Sequence, residues 1–94
     1  MSNEHVINTS ARLDRAHGLL LQMRSYYLRV PQTPAIQGEL ALLSKMLEAA
    51  AQLSTFMTML VDGYMVDAGA ADEVNEFCAL VEESAASGDL RPNA

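Results

Sequence analysis

Between Pro34 and Val66 the apolar residues recur in steps of four and three: Ile36, Leu40, Leu43, Leu47, Ala50, then Met57, Val61 and Tyr64, with Ser54 the one polar interruption. A second series, Leu42, Met46, Ala49, Leu53, Phe56 and Leu60, runs beside the first. Together they span an apolar arc of roughly 200°, about twice what a helix needs to cover one neighbour. The stretch has no internal proline, and its two glycines, Gly38 and Gly63, lie near its ends. The pattern predicts one helix over residues 34–66, roughly 50 Å long, with partners on two sides.

An earlier helix is expected over residues 10–29. Leu13, Ala16, Leu20, Met23 and Tyr27 form its inner seam, Leu19 and Tyr26 one flank, and Leu21 and Leu28 the other, beyond His17 and Arg24. Asn8, Thr9 and Ser10 offer oxygens that can cap its first amides, so residues 1–7 are expected to be a mobile entry. Pro31 ends this helix, and Thr33-Pro34 reads as an N-cap followed by proline at the first helical position. So short a turn makes the two helices antiparallel neighbours. A third helix is expected over residues 72–87, after Gly69. Its inner face carries Val74, Phe77, Cys78, Val81 and Ala85, while Glu73, Glu76, Glu82 and Glu83 fall largely outside it. Gly88 and Pro92 stop it, and residues 89–94 are expected to be mobile.

These elements imply an all-α fold in one domain over residues 1–94. Three antiparallel helices pack around the long second helix, and the third covers that helix's distal part. The excess of apolar surface on the first two helices implies a homodimer that completes a bundle. Small side chains midway along the second helix would let another helix approach closely, which places an internal crossing or a dimer interface at Ala49, Ala50, Leu53, Ser54 and Met57.

Composition narrows the function classes. The 94 residues are 50% hydrophobic but only 5% aromatic, so the core must be aliphatic. The net charge of −6 argues against direct binding to nucleic acid or to anionic membranes, which needs cationic surface. That charge is concentrated: residues 62–94 hold eight Asp and Glu against one Arg. A single cysteine, Cys78, rules out an internal disulfide and favours a reducing compartment. No apolar run is long enough for a signal sequence or a membrane span, and a cytoplasmic protein is expected.

The residues that could carry chemistry are few. His5, His17 and Cys78 share no ligand or catalytic spacing, and neither a glycine-rich phosphate loop nor a nucleophile motif occurs. No enzyme activity, cofactor or metal is therefore expected. Cys78, on an apolar face, reads as a buried structural thiol, and His17 as a solvated or interfacial side chain. The carboxylates of residues 62–89 lack the alternation of a calcium loop and read as a solubilising face, or as a nucleic-acid mimic facing a basic groove. Met57, Met59 and Met65 gather near Phe56, Leu60 and Tyr64, and such flexible apolar side chains suit an adaptable binding surface. Leu19, Tyr26, Phe56, Met59 and Tyr64 are the candidate partner-binding residues. Size, acidity and surplus apolar surface together suggest a small protein-binding regulator of the inhibitor, anti-activator or chaperone type, with a transcription regulator among the candidate partners. A subunit of a helical assembly and an acidic mimic are the alternatives.

Overall fold

The computed structural model describes residues 4–62 and 70–87. They form three α-helices, α1 (Glu4–Arg29), α2 (Pro34–Val61) and α3 (Ala70–Ser87), and among the described residues no strand. The radius of gyration of 14.9 Å exceeds the roughly 12 Å of a compact chain of this length, consistent with extents of 49 × 20 × 17 Å. The helices lie side by side in a rod.

α1 begins at Glu4, not at Ser10. The polar triplet at 8–10 does not cap it. Thr9 is buried on the inner seam one turn before Leu13, and Val6 packs against the core. The buried residues of α1 are Thr9, Leu13, Ala16, Leu20, Met23 and Tyr27, a 4-3 repeat sustained along the whole helix.

The turn after Arg29 is stitched by side chains. Gln32 Nε2 donates to the carbonyls of Tyr27 (2.9 Å) and Val30 (3.1 Å), which satisfies acceptors left open where α1 ends. Thr33 takes an extended backbone, and its Oγ1 accepts from Ile36 N–H at 3.2 Å, with Pro34 in the first turn of α2. At the far end the amide of Asp62 donates to Thr58 O at 3.0 Å, and Asp62 is the C-cap. The helix expected to run on to Val66 therefore ends at Val61; residues 63–66 lie outside the described residues.

At about 1.5 Å per residue, the 26 residues of α1 and the 28 of α2 make rods of roughly 39 and 42 Å. The first helix is thus nearly as long as the second. The larger correction concerns which helix is central. α1 packs against both α2 and α3, whereas α2 and α3 barely meet. Burial agrees: α1 buries two positions per heptad and α3 does so through Ala71, Val74, Cys78 and Val81, but α2 fully buries only Leu43, Ala50 and Met57, one position per heptad.

Four polar side chains dock α3 on α1. Arg12 grips Glu82 with two hydrogen bonds, Nη2 to Oε1 at 2.6 Å and Nε to Oε2 at 2.9 Å. Its Nη1 donates to Asn75 Oδ1 at 3.0 Å, and Asn75 Nδ2 donates to Thr9 Oγ1 at 2.9 Å. Asn75 and Glu82 therefore turn towards the start of α1, and α3 runs parallel to α1 rather than folding over the distal part of α2.

Candidate protein-binding surface

Because α3 leans on α1, its own chain covers the second apolar series of α2 only in part: Met46, Leu53 and Leu60 pack on the edge of the core. Leu42 is 46% exposed, and Met46, Ala49, Leu53, Phe56 and Leu60 are only half-buried. Helical spacing explains why they lie together. Leu43, Ala50 and Met57 point at α1, and the second series is turned from them by about 40–120° towards the α3 side at 100° per residue. From the facing flank of α3 come Phe77, half-buried, and Leu80, 59% exposed. Midway between the helices, Gln52, Leu53, Phe56 and Glu73 line a depression of about 230 Å³. The result is an open apolar groove with α2 and α3 as walls.

A second depression of about 290 Å³ lies between α1 and the C-terminal end of α3, where Leu19, Met23, Tyr26 and Ala85 meet Gln22 and Arg29. Tyr26 stands edge-on to the buried Tyr27 ring, 6.0 Å between centroids and 78° between planes. Both depressions fall below the roughly 300–1,000 Å³ of small-molecule clefts, and both are open. A broad protein contact suits them better than an enclosed ligand.

The candidate partner-binding residues are thus divided. Leu19 and Tyr26, both half-buried, belong to the α1–α3 depression, and Phe56 to the α2–α3 groove. Met59 is 40% exposed, on the outer face of α2. Tyr64 lies outside the described residues. Of the candidate dimer residues, Ala50 and Met57 are fully buried against the chain's own core, so they have no surface to offer a second copy. Of the small side chains there, Ala50 is the one set at the internal crossing with α1. Ala49 and Leu53 instead face the groove, and Ser54 is half-buried on the other flank of α2. Two apolar positions were undervalued in the sequence: Leu42, which shares the spacing of the second α2 series, and Leu80, which falls off the inner face of α3, both sit on the groove walls.

The polar clasp at Arg12 was not foreseen, and it is structural in character. The hydrogen bonds from Arg12 hold the Glu82 carboxyl below its ordinary value, and Glu82 in turn raises that of Arg12. Glu82 accepts from Arg12 through both carboxylate oxygens, and Arg12 Nη1 donates to Asn75. Cys78 lies in the core, where burial pushes its thiol up, away from the thiolate a nucleophile requires. Among the described residues no group of three or more His, Cys, Asp or Glu could hold a metal ion, and no helix is long and apolar enough to cross a membrane.

The arrangement can therefore bind, through apolar area edged by carboxylates. No protein-family model, curated protein or solved structure matches the chain.

Proposed function

We propose that the chain is a small non-enzymatic regulator, an inhibitor, anti-activator or chaperone in kind, that works in the cytoplasm by binding another protein through an apolar helix face. The observation that carries this reading is the incompletely covered second series of α2, Leu42 to Leu60, opposite Phe77 and Leu80 of α3. Contiguous apolar surface that folding leaves open is a solubility liability, and recognition is its common use. An amphipathic helix laid into such a groove would complete a four-helix bundle. The test is capture of the natural partner from a native extract by the intact chain and by Leu42→Glu and Leu80→Glu, whose side chains are already half exposed. Loss of one captured protein by both variants, with melting retained, supports the reading; a partner held equally by all three chains contradicts it.

Self-association is a second reading, favoured by a different surface. Leu21 and Leu28 are 47% and 53% exposed on the flank of α1 that turns away from α3, and Leu40 and Leu47 of α2 are half-buried on the matching flank. A homodimer through that face would leave the groove free. Sedimentation of the chain at micromolar concentration would show a dimer that Leu21→Lys with Leu28→Lys dissociates; a 10.2 kDa species in both samples rejects the dimer.

A further inference from the structure

The walls of the α2–α3 groove differ in charge. α3 carries Asp72, Glu73, Glu76, Glu82 and Glu83 and no Lys or Arg. Among the described residues Glu82 is the only one of these in a salt bridge, and it turns towards α1. Glu73, Glu76, Leu80 and Glu83 follow one another in steps of three and four along the exposed ridge of α3 that borders the groove, and Glu73 lines it. The outer edge of the α2 wall, at Lys45, Glu48, Gln52 and Met59, carries one charge of each sign. The groove is thus apolar at its floor and acidic along one side.

We infer, resting on the reading of this groove as the binding site, that its occupant is a cationic amphipathic helix of another protein: an apolar seam set on Met46, Leu53 and Phe56, with Lys or Arg along the flank that meets α3. The 18 residues of α3 set its length, roughly 27 Å or five turns. A second copy of this chain fits less well. A two-fold interface built on the groove includes the same ridge from both copies, and so brings two rows of Glu73, Glu76 and Glu83 into one contact. Lys or Arg on the occupant meets those carboxylates instead, and gains orientation as well as attraction, because only the α3 wall carries a net charge.

Two 18-residue model helices test this, identical in their leucine seam, one with Lys and one with Glu on the polar face, titrated by calorimetry into the intact chain. The Lys helix is expected to bind at least about tenfold more tightly at low salt, with the gap narrowing as ionic strength rises. Glu73→Gln, Glu76→Gln and Glu83→Gln together should bring the two affinities within about threefold, and Leu42→Gln with Leu80→Gln should weaken both helices. Equal binding of the two helices, still lost in the leucine variant, overturns the cationic partner while leaving the groove as the site. Lys-helix binding that ignores the leucine variant is mere charge attraction and overturns the groove itself, as does failure of both helices to bind. A dimer of the free chain that Leu42→Gln dissociates would assign the groove to a second copy and overturn the inference.

Discussion

Leu42 and Leu43 are neighbours in sequence and opposites in environment, so truncating each to alanine reads the orientation of α2 directly. Leu43 is fully buried against α1, whereas Leu42 is 46% exposed on the groove wall. Leu→Ala removes three carbons, worth about 0.8 kcal/mol each when buried, or about 2.4 kcal/mol of transfer free energy. At Leu43 the surrounding helices cannot close the space completely, and the residual cavity raises the cost to about 3–4 kcal/mol. At Leu42 roughly half of the transfer term is already lost to solvent, no cavity forms, and alanine's better helix propensity returns a few tenths, leaving about 1 kcal/mol or less. In a domain of this size 1 kcal/mol shifts the melting temperature by about 4–8 °C, so the two variants should differ by more than about 10 °C in thermal melts followed by circular dichroism. Leu47→Ala, at a half-buried position on the other flank, should fall between them. Equal losses at 42 and 43, or a greater loss at 42, would mean that α2 is rotated or that another chain covers the groove.

Three further outcomes follow from individual side chains. Glu39 lies on the α2 face that meets α1, with Oε2 buried and lacking a hydrogen-bond partner; Glu39→Leu should stabilise the fold by about 1–2 kcal/mol in urea unfolding, and destabilisation would show that the carboxylate is satisfied. Glu82 has its carboxyl lowered from the ordinary value of 4.5 chiefly by the hydrogen bonds from Arg12. A lowered folded value adds stability above the unfolded value and loses it as the pH falls through the folded one, so the melting deficit of Glu82→Gln should be present at neutral pH and close as the pH falls below 4.5 through the lowered folded value. The deficit should be small, because the pair is 31% and 40% exposed and solvent screens it; a deficit unchanged with pH would remove the ion pair from the account. Cys78 should react with a thiol reagent at pH 8 at least about a hundredfold more slowly than a free thiol, and promptly in denaturant; fast labelling of the folded chain would contradict its burial.

The inner seam of α1 was legible because its period is regular: Leu13, Ala16, Leu20, Met23 and Tyr27 are all buried. So were the all-helical class and the Thr33 cap, both of which rest on local chemistry. The start of α1 was misread because a polar residue on an apolar seam looks like a boundary. Thr9 remains inside only because Asn75, 66 positions later, supplies its hydrogen bond. Choosing α2 as the central helix failed for a related reason. A wide apolar arc states how much surface a helix could bury, not which element of the chain arrives to bury it. The arrival of α3 at α1 is guided by Arg12 with Glu82 and Asn75, pairings 70 and 63 residues apart that leave no periodic trace. The groove is the consequence, since the surplus arc of α2 is its wall. For that reason Leu19 and Tyr26 fell on one depression and Phe56 on another, while Met59 stayed on the outer face of α2.

Methyl NMR of the free chain with a soluble nitroxide tests whether α1 holds both other helices and leaves the α2–α3 groove open to solvent. Strong broadening is expected at Leu42, Met59 and Leu80, intermediate broadening at Met46 and Leu53, and protection at Leu43, Met57, Val74 and Val81. Leu42, Met46 and Leu53 protected as fully as Leu43 would contradict that arrangement, because the groove would then be filled by the chain itself or by a second copy.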